Sequence, residues 1–211
     1  MGGNESSISA SVDLKLSEYW NLSVGPRLSY NNPTAQYVTS VEDVLATNTY
    51  GHRYIFGDLE QTTFSMETRL NVTLLPDLTL EIFAQPFLAS GDYGTYKELA
   101  TPGTLDFYRY GVDVGQVTQS GDDDFLVDPD GSGPAEAFEL SDQDFNRQSL
   151  RGTAVLRWEW HPGSTLFLVW QQSRSGSADN GNFHFGNNLN DMFAAEPENV
   201  FLFKVNYWLS R

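Results

Sequence analysis

The chain has 211 residues, no cysteine and a formal net charge of −16, which excludes a disulfide framework and a thiolate metal site. The acidic balance argues against nucleic acid as a partner, because phosphate binding requires a basic surface. The apolar runs are only a few residues long, so a bundle of membrane-spanning helices, each of about 20 apolar residues, is excluded as well.

The first ninety residues alternate between apolar and polar side chains, which is the pattern of β-strands. The second of the four predicted strands is interrupted at Asn31-Asn32-Pro33, which we interpret as a bulge or bend because proline cannot donate to the ladder. The predicted strands cover Ser7–Leu16, Trp20–Val41, Arg53–Leu74 and Leu78 to about Ala89.

Residues 91–144 differ in kind from the alternating segments. They contain 13 acidic residues and only two basic ones, Lys97 and Arg109. We predict a long acidic external loop in which short extended pieces, around Asp106–Tyr110 and Phe125–Val127, pair as small hairpins. The run Asp122-Asp123-Asp124 is most simply solvated charge. A connection of this length is usually functional or disordered.

Residues 149–172 predict a β-hairpin with an apolar face and a charged face. The breaker His161-Pro162-Gly163 makes the turn, and tryptophans cluster beside it. A Gly/Asn-rich loop over Ser175–Asn199 and a last strand over Val200–Ser210 complete the chain.

Short and long connections alternate along these seven strands. Outer-membrane barrels have short periplasmic turns and long external loops. We therefore predict one domain over residues 1–211: an all-β, antiparallel transmembrane β-barrel of the outer-membrane type, or the C-terminal part of a larger barrel, with seven or eight spanning strands. The alternative is a soluble, secreted β-sandwich or lectin-like binding module, which would bury its tryptophans in a core.

The barrel interpretation assigns charged side chains to a wet lumen and aromatic side chains to the membrane interfaces. The lumen-lining residues could select solutes in a pore, or could satisfy one another as structural ion pairs. The predicted lumen-lining residues are Arg27, Glu67, Arg69, Glu81, Arg151, Arg157, Glu159 and Lys204. The predicted membrane-girdle residues are Trp20, Trp158, Trp160, Trp170 and Tyr207.

One segment of the acidic loop has the spacing of an EF-hand. Asp128, Asp130, Ser132 and Glu139 stand at positions 1, 3, 5 and 12, and Gly133 stands at position 6. The flanks predict strands rather than helices, so the other interpretation is an acidic turn between two short strands. Calcium is therefore one candidate ligand, and we expect no other cofactor.

The sequence contains no catalytic motif. His52, His161 and His184 fall in loops and turns without metal-ligand spacing, and no nucleophile elbow is visible. We expect no enzymatic activity, with an outer-membrane hydrolase as a remote alternative. Aromatic residues in the loops could stack on sugars or pack the loops together. These residues are Tyr93, Tyr96, Phe107, Phe183 and Phe185.

Four segments carry a resemblance to a known family: AQPFLASGDY (84–93), DPDGSGPAEAFELSDQDFNRQSLRG (128–152), WEWHPGSTLFLVWQQ (158–172) and ENVFLFKVNYW (198–208). They resemble the C-terminal barrel domain, of unknown function, in bacterial outer-membrane proteins that carry a signal peptide and a carbohydrate-binding family 9-like domain. The resemblance covers most of residues 20–211. It implies an outer-membrane location and no defined activity.

The resemblance also implies partners. Membrane lipid is one, and glycans or small solutes are others, as the companion domain suggests. The N-terminus, MGGNESSIS, has no basic or apolar segment of a signal peptide. We therefore expect the sequence to be a fragment or trimmed form, with the first part of the barrel missing.

Overall fold

The computed structural model describes residues 3–121 and 124–209. Asp122 and Asp123 of the predicted charge run, and Ser210 at the predicted end of the last strand, lie outside the described residues. The described strands are β1 (Asn4–Ser9), β2 (Val12–Lys15), β3 (Trp20–Asn32), β4 (Gln36–Glu42), β5 (His52–Leu75), β6 (Leu78–Leu99), β7 (Phe107–Arg109), β8 (Gln116–Ser120), β9 (Asp124–Asp128), β10 (Phe138–Ser141), β11 (Phe145–His161), β12 (Ser164–Ala178) and β13 (Glu198–Asn206). A 3-10 turn spans Thr47–Thr49, and the helix α1 spans Phe185–Ala194.

Ten strands form one antiparallel sheet in the order β1-β3-β5-β6-β11-β12-β13. β2 continues β1 along β3, and β4 continues β3 along β5 after the interruption at Pro33. The meander therefore has seven strand positions, and the predicted all-β, antiparallel class is confirmed. Gly163 closes the β11–β12 turn with φ of +79°, a conformation that glycine adopts without steric cost.

The sheet is open. Within the described residues no ladder joins β1 to β13, so the described strands do not close into a barrel. Both edge strands are exposed along their whole length.

The registers align the alternating residues of all the long strands on two faces. Leu22 pairs with Leu70, Leu70 with Ile82, Ile82 with Ala154, and Ala154 with Trp170. Cross-strand partners share a face of the sheet, so these residues belong to one continuous apolar face. The opposite, polar face carries the intervening residues. A shift of one residue would exchange the faces.

The predicted acidic loop is shorter than expected because β6 continues to Leu99. The rest of the segment supplies β7, which pairs with β6, and a separate three-stranded sheet, β10-β9-β8. That small sheet packs through Val127 and Leu140 against Ile55 and Tyr96. Ile55 lies on the same side of β5 as Glu67 and Arg69, so the small sheet covers the polar face where the long connections lie. We call the end of the strands where the long connections lie the loop end, and the end where the short turns lie the turn end.

The helix α1 lies in the segment predicted as a Gly/Asn-rich loop, and this prediction was wrong over Phe185–Ala194. The helix packs on the apolar face at the loop end, where the ring of Phe185 meets that of Phe64 edge-to-face at 5.0 Å. No described helix is long and apolar enough to cross a bilayer.

Candidate functional site

The apolar face carries many exposed apolar side chains of the described structure. Leu168 is 42 % exposed and Phe203, its neighbour on β13, is 68 % exposed. Because the small sheet packs on the other face, no second described sheet covers these side chains. We call the following set the apolar band: Leu14, Leu22, Leu28, Phe64, Leu70, Leu74, Leu80, Ile82, Leu156, Leu166, Leu168, Phe201 and Phe203.

The extent of this band along a strand is measured on β5. On β5 it extends from Phe64 to Leu74, which is eleven residues. Eleven residues at about 3.3 Å each cover about 36 Å along the strand, which would correspond to a height of about 28 Å at the tilt of about 40° found in outer-membrane barrels. The apolar band of outer-membrane barrels is about 25 Å tall.

Aromatic side chains gather at the turn end of the band. Trp158 and Trp160 contact each other edge-to-face at 6.5 Å, and both are exposed. Trp20 begins β3 directly after a short turn, and Tyr207 directly follows β13. Trp170 differs from these four girdle candidates. It lies in the middle of β12, stacks on Phe201 at 6.4 Å, and donates its indole N–H to Asn199 at 2.9 Å.

The polar face carries all eight predicted lumen-lining residues. Two ion pairs form within single strands: Arg69 with Glu67 at 2.7 Å on β5, and Arg157 with Glu159 at 2.9 Å on β11. Their side chains are substantially exposed, so each pair contributes little stability in water. Arg27 donates to the Ser7 hydroxyl at 3.4 Å.

Aromatic rings on the polar face lie beneath some of these cations. The guanidinium of Arg69 is 5.1 Å from the centre of the Phe83 ring, and the ammonium of Lys204 is 5.8 Å from that of Phe167. Glu81 and Arg151 occupy the same face, opposite Val155 and Gln85 respectively. The polar face therefore carries apolar rings as well as charged and polar side chains.

A buried ionic cluster ties the loop end together. Arg53 bridges Asp43 at 2.7 Å and Glu98 at 2.6 Å, and its side chain is 11 % exposed. Tyr110 donates its hydroxyl to Glu98 at 2.9 Å. Burial and the Glu98 carboxylate raise the pKa of Tyr110. Burial disfavours the charge of Asp43, but hydrogen bonds from the Leu45 N–H and from Arg53 keep its pKa below the ordinary value.

A second ion pair lies beside this cluster, in which Lys97 is buried and Asp58 is partly exposed. Lys97 contacts the Asp58 carboxylate at 2.5 Å, donates to the Thr34 carbonyl, and lies 5.4 Å from the centre of the Phe107 ring. Sequence reasoning missed both groups because Lys97 and Glu98 stood in the predicted loop. The sequence feature that could have indicated a buried ion pair there is the presence of a lone lysine, Lys97, among many acidic residues.

The EF-hand-like segment forms an acidic turn after β9. Asp128 accepts hydrogen bonds from the Asp130 and Gly131 N–H groups at 3.3 and 2.8 Å. Asp130 accepts from Gly133 and Ala135 at 3.1 and 2.9 Å. No group of three or more His, Asp or Glu side chains suited to a metal ion occurs among the described residues. A calcium ion there would compete with these backbone donors, and the calcium site stays a prediction.

The remaining candidates are dispersed or packed. His52 begins β5, His161 ends β11 and His184 precedes α1. Tyr96 is buried in the core of the small sheet, and Phe107 contacts Phe56 edge-to-face at 5.1 Å. These two aromatic residues pack the loop end together.

Comparison with known proteins places nearly the whole chain in one family. A family model with the description Domain of unknown function (DUF5916) matches residues 2–210. No curated protein matches the chain. The family match concerns a domain of unknown function and provides no link to a carbohydrate-binding family 9-like domain.

Proposed function

We propose that this chain, which belongs to the DUF5916 family of domains of unknown function, forms part of the wall of an outer-membrane β-barrel. The apolar band faces acyl chains, and the polar face turns toward water. The observation that carries the proposal is the continuous apolar face, which no described element covers apart from α1 at the loop end and which is held in register across seven strand positions. The connections support it, because short turns lie at one end and long connections at the other.

A soluble β-sandwich is a weaker explanation of the same features. Such a fold buries the side chains of its inner faces against a second sheet, whereas Trp158, Trp160 and Trp170 are exposed. Monomeric soluble proteins rarely expose contiguous apolar patches larger than a few hundred Å². In a bilayer, exposure of the apolar face carries no hydrophobic cost, because acyl chains solvate apolar side chains.

The function best supported within the outer membrane is that of a surface scaffold. The small sheet β10-β9-β8 covers the loop end of the polar face and would obstruct the mouth of a lumen. A solute passage is the second candidate, favoured by the charged side chains along that face. The link to glycan binding or uptake is supported by the sequence resemblance.

The proposed wall requires partner strands, because unpaired backbone groups at a sheet edge are prohibitively costly in lipid. Six antiparallel ladders separate β1 from β13, so these two strands run in the same direction. Antiparallel pairing at both edges therefore requires an odd number of further spanning strands. The total is then even, as in bacterial barrels. We propose that such strands, from another part of the barrel, pair with both edges.

Adjacent residues on β6 test the proposed orientation. The chain has no cysteine, so a single cysteine can be introduced at Ile82 on the apolar face or at Glu81 on the polar face. In the intact protein in vesicles, we expect a water-soluble maleimide to label E81C and to leave I82C unmodified. Unfolding in urea should make I82C reactive. Equal labelling of both variants in vesicles would overturn the membrane proposal.

A further inference from the structure

The helix α1 carries apolar side chains that the sheet does not cover. Phe185 is 47 % exposed and Phe193 is 55 % exposed, although both belong to a helix packed on the sheet. We infer that α1 lies in the headgroup layer of the bilayer, with Leu189 and Phe193 reaching the acyl-chain boundary. This inference rests on the proposed function.

The contacts of α1 show that it crosses the strands. Its first residue, Phe185, packs on Phe64 of β5. Asn188 donates to Asn146 of β11 at 2.6 Å. The carbonyl groups at the end of the helix accept hydrogen bonds from Arg174 of β12. Phe64 shares a row with Gln148 and Gly176, and Asn146 and Arg174 each lie two residues from that row, on opposite sides of it. The helix axis therefore runs across the strands at the loop end of the apolar face.

The level of α1 coincides with a change of polarity on the apolar face. Toward the turn end the face is apolar, as in the row of Leu70, Ile82 and Ala154. Beneath the helix it carries Gln148 and Arg174, which share that face by alternation along β11 and β12. Such a change marks the boundary between the acyl chains and the headgroups.

The distribution of side chains around α1 suits an interfacial helix. At 100° per residue, Asn188 and Met192 point to the sheet and are buried. Leu189 and Phe193 occupy the adjoining flank, and Asn190 and Asp191 lie beyond it. The apolar arc of the helix is therefore wider than the sheet covers.

The charge of α1 indicates how the helix would interact with a membrane surface. The helix contains no lysine or arginine, and its one charged residue, Asp191, lies outside the apolar arc. Electrostatic attraction to anionic lipids requires basic residues. We therefore expect α1 to bind by insertion of its apolar side chains rather than by electrostatic attraction to lipid headgroups.

Single-cysteine variants test this arrangement. The positions are F193C on the apolar flank, N190C on the polar flank, and L168C in the middle of the band. Each variant of the intact protein receives a nitrobenzoxadiazole label in phosphatidylcholine vesicles, with nitroxides placed either near the headgroups or near the bilayer centre. We expect the label at 193 to be quenched most by the shallow nitroxide, at a depth of about 5–10 Å. The label at 168 should be quenched most by the deep nitroxide, and the label at 190 by aqueous iodide.

The outcomes separate the inference from its premise. Quenching at 168 by the deep nitroxide, with the label at 193 as accessible to iodide as the label at 190, would overturn only the placement of α1. A label at 193 that is shielded from both iodide and nitroxides would indicate a protein cover and would overturn it too. The absence of lipid quenching at 168 would overturn the membrane proposal, and the inference with it.

Discussion

Placing a charge on Leu168 distinguishes a lipid-facing surface from a water-facing one. Leu168 lies in the middle of the apolar band, between Leu156 and Phe203 on the neighbouring strands. Val169, the next residue, lies on the polar face. We predict that L168R destabilises the intact protein in vesicles strongly and that V169R does so weakly, although both variants add the same charge to the same strand.

The expected magnitude follows from the environment of each position. Arginine at the bilayer midplane on the lipid face of a barrel costs about 2–4 kcal/mol, which is roughly a 30- to 700-fold loss in the folding equilibrium constant. An exposed position in water costs only about 0.5 kcal/mol. Because Leu168 is 42 % exposed, a soluble protein would tolerate L168R almost as well as V169R.

Urea unfolding in phosphatidylcholine vesicles, followed by tryptophan emission, measures both free energies of unfolding. L168Q serves as a control that adds polarity without charge and should fall between the wild type and L168R. A cost of L168R within about 0.5 kcal/mol of the cost of V169R would refute the assignment of the apolar face to lipid.

Three further predictions concern the loop end and the hairpin. R53M leaves two carboxylates buried without their cation and should lower the free energy of unfolding by about 3–5 kcal/mol, while R53M/E98M should recover part of that loss in urea titrations. G163A places a side chain at φ of +79° and should cost about 1 kcal/mol in the same assay. Burial raises the pKa of Asp144, which accepts the Tyr93 N–H. The folded state therefore binds this proton more readily than the unfolded state, so the contribution of Asp144 to stability decreases as the pH rises from about 4 toward 7. D144N should remove that contribution when unfolding is compared at both pH values.

Each of these predictions has its own contrary result. Equal free energies of unfolding of R53M and R53M/E98M would show that burying the Glu98 carboxylate without Arg53 does not destabilise the protein. A G163A protein as stable as the wild type would mean that the turn adopts another conformation. An unchanged pH profile in D144N would assign the pH dependence to other groups.

Much of the sheet was predictable because the period of a strand is visible in the sequence. The alternation of Leu14, Leu22 and Leu70 with polar neighbours identified strands and faces, and turn residues such as Gly163 marked the hairpins. The registers followed, since a one-residue slip would move apolar side chains to the polar face. The eight lumen-lining candidates therefore share one face of the sheet, and their position in a lumen stays a prediction.

The remainder could not be predicted because it depends on contacts distant in the chain. The end of β6 loses its alternation at Lys97 and Glu98, which are buried only because Asp58 and Arg53 neutralise them from β5. Ten residues with several asparagines make a marginal helix in isolation, and α1 is held by sheet residues such as Arg174.

The sequence by itself determined that the chain is an antiparallel β-sheet with one apolar face, because side-chain direction alternates residue by residue in any strand. Tertiary structure decided that β1 and β13 stay apart, that the small sheet covers the polar face, and that α1 crosses the strands above the apolar band. The physical reason is that local periodicity orients a side chain, whereas pairing, burial and charge compensation depend on which distant segment lies opposite it.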